Sequence, residues 1–79
     1  MNVVWSKNDC VYCERAKQLL VVNKIEYEER NVENGEWTME HLSEAAPRAR
    51  TFPQVFLDDI LIGGYNELYT HLMIKTASL

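Results

Sequence analysis

The chain contains two cysteines, Cys10 and Cys13, separated by Val11 and Tyr12 in the stretch SKNDCVYCERAK, residues 6 to 17. Three chemistries suit such a pair: a structural bridge, half of a metal site, or a reversible dithiol–disulfide centre. A Cys10–Cys13 bridge closes a very small loop, and loop-closure stabilisation is weakest for small loops. A structural zinc site takes about four nitrogen or sulfur ligands. The two histidines, His41 and His71, lie far apart in sequence and in no ligand pattern, so no metal ligands are assigned. A Cys-x-x-Cys beside a βαβ pattern reads as a redox motif. The surrounding elements therefore decide between the readings.

Residues 2 to 5, NVVW, are short, apolar and β-prone, and predict a buried first strand. After the polar SKND, Ala16, Leu19 and Leu20 recur at helical spacing among Glu14, Arg15, Lys17 and Gln18, which predicts an amphipathic helix over 11 to 22. Asn23–Lys24 ends it, Asn being suited to a left-handed cap. IEYEERNV, residues 25 to 32, predicts a second strand, and ENGEW a turn. Residues 36 to 46 predict a second helix with Trp37, Leu42 and Ala45 or Ala46 on one side. QVFL and ILI predict strands that Asp58–Asp59 joins as a hairpin. Gly63–Gly64 breaks the chain, and Asn66 is placed to cap a last helix that buries Leu68 and Leu72. The order is β-α-β-α-β-β-α. The first two strands should be parallel, with a right-handed crossover. The hairpin adds antiparallel strands, giving an α/β fold with a four-stranded mixed sheet and helices on both faces.

A chain of 79 residues has room for one domain, 1–79. Its 47% hydrophobic and 25% charged composition, with three glycines and two prolines, is that of a globular fold rather than a disordered segment. The net charge of −4 and the scattered Lys and Arg argue against nucleic acid as a partner, because phosphate binding needs a basic surface. The longest apolar run, LLVV at 19 to 22, is far too short to span a membrane. MNVVWSKND lacks the basic start and long apolar centre of a signal peptide. The expected location is cytoplasmic, where thiols are kept reduced, and a purely structural bridge is disfavoured there.

The predicted elements place Cys10 at the start of the first helix. The thiolate is the reactive form of cysteine, whose free pKa is about 8.5. A helix N-terminus offers a partial positive charge and free backbone N–H groups, both of which stabilise a thiolate. Lys7 can add a positive charge nearby. Cys10 is therefore the expected nucleophile, facing solvent. Cys13, one helical turn on and more buried, is the expected resolving thiol, which attacks a mixed disulfide on Cys10. Tyr12 lies between them and can cover the site.

With these pieces in place the chain resembles a glutaredoxin, from about Val3 to Leu72. The family pattern is a Lys, two spacers, Cys-Pro-Tyr-Cys, then Thr-Val-Pro, then Gly-Gly with an acidic residue soon after. Here these read Lys7, CVYC at 10 to 13, TFP at 51 to 53 and GGYN at 63 to 66, in order and at suitable distances. The short chain and its CVYC are most similar to small glutaredoxins of bacteriophage type. The resemblance implies a thioredoxin-like fold and a glutathione-dependent disulfide oxidoreductase that also removes glutathione from mixed disulfides. By matched position Cys10 attacks, Cys13 resolves, and Pro53 is a cis-proline opposite them. The Phe52 backbone pairs with the cysteinyl part of glutathione, in the manner of strand addition. Thr51, Gly64, Tyr65 and Asn66 hold the γ-glutamyl end, and Lys7 and Tyr12 lie near the cysteine and the glycyl carboxylate. The last helix's N-terminus suits a carboxylate. Glutathione is implied as reductant, with no permanently bound cofactor. The implied partners are protein disulfides or glutathionylated proteins, ribonucleotide reductase among the candidate clients, and the implied state is a monomer.

The chain departs from the pattern in places. Val11 replaces a Pro that is pre-organised for the first helical turn. Asn66 stands where Asp is common, which removes a full charge opposite the glutathione ammonium, and charge-assisted bonds are the stronger ones. The second helix holds Glu40 and His41 where relatives aim a cation at the glycyl carboxylate. Arg48 and Arg50 read better as solvated loop cations than as its substitutes. Trp5 is assigned equally to the core or to the rim of the site, and Trp37, His41 and His71 to structure. Two alternatives remain at this point. One is a redoxin of similar fold reduced by a thioredoxin reductase. The other is a module in which Cys10 thiolates of two chains and two glutathiones hold a [2Fe–2S] cluster.

Overall fold

The computed structural model describes residues 1–77, with side chains through Ile74. Seven elements follow the expected order: β1 (Val3–Ser6), α1 (Val11–Val22), β2 (Glu28–Asn31), α2 (Met39–Ala45), β3 (Gln54–Leu57), β4 (Ile60–Gly63) and α3 (Tyr65–Ala77). They form one four-stranded sheet in the order β2-β1-β3-β4. β1 runs parallel to β2, with Val3 opposite Glu28, and antiparallel to β3, with Val4 opposite Val55. β4 returns antiparallel along β3, with an irregularity between Val55 and Phe56.

The period-two alternation of strand side chains divides the core between the two faces. Val4 and Val55 point to one face, where they meet Ala16 and Leu20 of α1 and Leu68 and Leu72 of α3. Val3 and Trp5 point to the other, against Leu42 of α2 and the following Ala46. Helices therefore cover both faces. Trp5 is 1% exposed, which places it in the core rather than at the rim of the site.

Several boundaries differ from the sequence reading. β2 begins at Glu28 because the Ile25 N–H turns back to the Leu20 carbonyl at 2.9 Å; sheet pairing resumes with the Glu28 N–H on the Asn2 carbonyl. The left-handed residue after α1 is Lys24, at φ 59°, while Asn23 sits at φ −88° and uses its side-chain amide on the Leu19 carbonyl. α2 begins later than expected. Thr38 caps it by accepting the His41 N–H, and His41 Nδ1 accepts the Thr38 N–H in return, so Trp37 precedes the helix. Ala45 is exposed and Ala46 is the buried partner of Leu42. Asn66 does not cap α3. The helix starts at Tyr65, with the Leu68 N–H on the Gly64 carbonyl and the Gly64 N–H on Glu67 Oε1 at 2.7 Å. Asp58 and Asp59 both adopt positive φ, 51° and 66°, which makes the tight hairpin link.

Candidate active site

The redox pair is positioned from β1. Ser6, the last residue of that strand, is 1% exposed and donates its hydroxyl to Glu29 Oε2 at 2.7 Å. The loop after it is pinned to the end of β2. The Asn8 N–H donates to Glu33 Oε1 at 2.7 Å, and the Asn31 amide donates to Asn8 Oδ1 at 3.1 Å. Asp9 then takes a left-handed φ of 53°, which Asp tolerates better than most residues. This turn delivers Cys10 as the N-cap of α1, in extended conformation, with its Sγ accepting the Cys13 N–H at 3.1 Å. Cys10 is part-exposed and Cys13 is fully buried. The two form a disulfide, with their Cα atoms 5.2 Å apart.

Two loops face this helix end. In the first, the Phe52–Pro53 peptide is cis, and Pro53 is buried. Gln54, 7% exposed, donates its amide to the Thr51 carbonyl at 2.9 Å and so fixes the turn before Pro53. In the second, Gly63 adopts a φ of 125°, and a Cβ on Gly64 would lie 3.5 Å from the Pro53 carbonyl oxygen. A side chain at position 64 would thus face the main chain of the Pro53 loop. Between them and α1 lies a groove of about 310 Å³ lined by Tyr12, Thr51, Phe52, Gly64, Tyr65, Asn66 and Glu67. The Tyr12 and Tyr65 rings form one end of it, 5.8 Å between centroids. Lys7 Nζ sits over the Phe52 ring at 5.7 Å. Arg48 and Arg50 are exposed and do not line the groove.

The structure therefore brings together Tyr12, Thr51, Phe52, Gly64, Tyr65 and Asn66, with Lys7 at the Phe52 wall and Pro53 beneath. Sequence reading missed Gln54 and Glu67. A polar residue inside an apolar strand signals the first. An acidic residue three positions after the cap signals the second, because it can reach back to the cap N–H. Larger depressions of about 630 and 700 Å³ flank Val21 and Tyr27 at the β2 edge. They lie toward the far end of α1 from Cys10, whereas the groove by Tyr12 adjoins the cysteine-bearing end.

Electrostatics behind the helix are set by Lys17. Its Nζ lies 2.6 Å from Glu14 and 2.9 Å from Glu29. Burial pulls the Lys17 pKa down, but the hydrogen bonds and charges of both carboxylates outweigh it and hold it above the usual lysine value. Burial pushes Glu29 up, yet the Ser6 hydroxyl and Lys17 hold it below the usual carboxylate value. Tyr27 beside them is raised, chiefly by burial, with Lys17 opposing. Among the described residues there is no cluster of His, Cys, Asp and Glu suited to a metal ion. No helix among them is long and apolar enough to cross a membrane.

The family model described as glutaredoxin matches residues 2–62. Glutaredoxin 1 of Rickettsia bellii is 34% identical over 70 residues, covering 85% of this chain and 71% of that protein. The structure of reduced Escherichia coli glutaredoxin superposes with a TM-score of 0.77 at 28% identity, covering 96% of each chain. A buckwheat glutaredoxin–glutathione complex superposes with a TM-score of 0.76 at 27% identity, covering 98% of this chain and 73% of that one. The mixed four-stranded sheet with three helices is thioredoxin-like, as these structures are.

Proposed function

The chain belongs to the glutaredoxin family and is a thiol–disulfide oxidoreductase, and we propose that glutathione supplies its electrons from the groove beside Cys10. The Cys10 thiolate attacks one sulfur of a protein disulfide, forming a mixed disulfide and releasing the other sulfur as a thiolate that takes a proton. Cys13 gives up its proton and attacks Cys10 Sγ, which releases the second substrate thiol and leaves the Cys10–Cys13 disulfide. Two glutathiones then reduce that disulfide in turn and leave as glutathione disulfide, so two electrons move in each cycle. With a glutathionylated substrate, Cys10 attacks the glutathione sulfur and the protein thiol is the leaving group. That reaction needs only Cys10.

In this reading the Phe52 main chain, ahead of cis-Pro53, pairs with the cysteinyl part of glutathione. Thr51, Gly64, Tyr65 and Asn66 hold its γ-glutamyl end at the start of α3, whose N-terminal partial charge favours a carboxylate. Lys7 and Tyr12 face the cysteinyl and glycyl end. The chain works as one domain, 1–79, and as a cytoplasmic monomer without a resident cofactor. Its partners are glutathione and protein disulfides, with ribonucleotide reductase a candidate client, and neither nucleic acid nor membrane. The observation that supports the reading is one groove, lined by Tyr12, Thr51, Phe52, Gly64, Tyr65 and Asn66, at the end of α1 that bears Cys10.

A coupled assay tests it. The protein reduces a small mixed disulfide while NADPH loss is followed, with glutathione plus glutathione reductase or with thioredoxin reductase alone. Turnover with glutathione is expected. Turnover with thioredoxin reductase alone would sink the glutathione assignment.

A further inference from the structure

A second recess opens on the other side of Tyr65. It lies between α1 and α3, measures about 390 Å³, and is lined by Arg15, Gln18, Leu19, Val22 and Tyr65. Tyr65 also lines the redox groove, so the two depressions share a wall. Along that wall the rings of Tyr12, Tyr65 and Tyr69 follow one another at centroid distances of 5.8 and 6.2 Å. Tyr12 and Tyr69, at the two ends of this row, are 52% and 45% exposed. Arg15 lies over the Tyr12 ring at 5.3 Å and forms no ion pair with any described residue. Lys17, two residues on, is the cation that pairs with both nearby carboxylates, Glu14 and Glu29.

We propose that the α1/α3 recess docks the polypeptide of a protein substrate, seating an apolar side chain against Leu19, Val22 and Tyr65 and an acidic one on Arg15. The inference rests on the reading of Cys10 as the thiol that meets the substrate disulfide. Tyr12 follows Cys10 by two residues, so the tyrosine ridge begins next to the sulfur that a substrate disulfide would meet. The recess and the ridge beside it supply what interfaces favour: exposed tyrosines on the ridge, an arginine with no ion pair among the described residues, and Leu19 and Val22 as apolar lining. Glutathione in the redox groove lies on the opposite side of Tyr65. The occupant is therefore the flanking sequence of the client, and its complement to Arg15 is an Asp or Glu within a few residues of the cysteine.

The test compares single-turnover reduction of three probes by the pre-reduced protein. The first probe is a short peptide with one internal disulfide flanked on both sides by Asp and Leu. Its twin carries Lys in place of Asp. The third is hydroxyethyl disulfide, too small to reach the recess. Arg15→Glu is expected to slow reduction of the acidic peptide roughly tenfold, losing an attraction and gaining a repulsion, and to speed reduction of the lysine twin. Tyr69→Ser should slow both peptides about threefold. Both variants should leave hydroxyethyl disulfide within about twofold of the parent. Equal effects on all three probes, or no effect of Arg15→Glu on either peptide, overturn the docking assignment. These reactions contain no glutathione, so failure of glutathione recycling would remove the proposed reductant and leave the docking result standing.

Discussion

On the α1/α3 face of the sheet, aliphatic side chains interlock: Val4, Val55, Ala16, Leu20 and Leu68 are all 0% exposed. On the α2 face, a few large rings surround a cation. The Arg30 guanidinium lies 4.3 Å from the Trp37 ring centroid and 5.3 Å from that of Trp5, and the two tryptophans meet edge to face at 5.6 Å. Only the first face carries the redox helix and the tyrosine ridge. The second rests on a seven-residue helix held by a Thr38–His41 capping box. The contrast separates two tasks. Dense aliphatic packing fixes the direction of α1, and with it the position of Cys10. The aromatic–cation cluster covers the back of the sheet and reaches the groove only through Phe52, which packs against it.

The sharpest way to separate chemistry from packing is at the cysteines. Cys10→Ser should abolish disulfide reduction, while thermal stability under reducing conditions stays within about 1 kcal/mol, because Ser is a good N-cap. Cys13→Ser should retain deglutathionylation and lose reduction of protein disulfides. Activity of Cys10→Ser in either assay would show that the nucleophile is misassigned. Next in size is Leu20→Ala on the α1/α3 face. Removing a fully buried leucine costs about 2–5 kcal/mol, so urea unfolding should show a large loss of stability and activity should fall with it. Trp37→Leu on the other face should cost about 1–2 kcal/mol from lost ring and cation contacts, with turnover of the folded protein unchanged. If Trp37→Leu lowered turnover as Leu20→Ala does, the division between the faces would be wrong.

The smallest effect concerns the clamp beneath α1. Glu29 has a folded pKa below its usual value, so its contribution is present at neutral pH and is lost as pH falls through the folded pKa. Lys17 is raised, so its part is present below the usual lysine value and is lost as pH rises through the folded one. Glu29→Gln should therefore lower stability by about 0.5–1 kcal/mol at pH 7, the discount for partial exposure included. The gap to the parent should close as the solution is acidified. A gap that stays constant with pH, measured by denaturant titration, would assign the effect to packing instead.

Where one local signal dominated, the sequence was readable. α1 spans Val11–Val22 as the spacing of Ala16, Leu19 and Leu20 predicts, and β3 spans Gln54–Leu57. The Cys10–Cys13 placement followed from that helix start. The errors fall where a side chain competes with a propensity. Ile25 and Tyr27 alternate like strand residues, but Ile25 closes the turn after α1 and both pack toward the aliphatic core. Asn66 looks like a cap, but Glu67 already serves the Gly64 N–H, so the helix starts earlier. The cis Phe52–Pro53 bond was legible through family resemblance alone, since only about 5–6% of X–Pro bonds in folded proteins are cis. The recess beside Arg15 was invisible in the sequence because it needs α1 and α3 side by side.

Glycine at position 64 keeps side chains out of the groove where the two loops approach, a Cβ there lying 3.5 Å from the Pro53 carbonyl oxygen. The exposed side chains around it, Thr51 and Asn66, can then be exchanged without widening or narrowing the slot. A Cβ at position 64 would lie 3.2 Å from the Glu67 carboxylate, which would have to give by a few tenths of an ångström, and in ordinary contact with the Pro53 carbonyl at 3.5 Å. Size at this junction is thus set at position 64, while the polarity of the rim is set by Thr51 and Asn66.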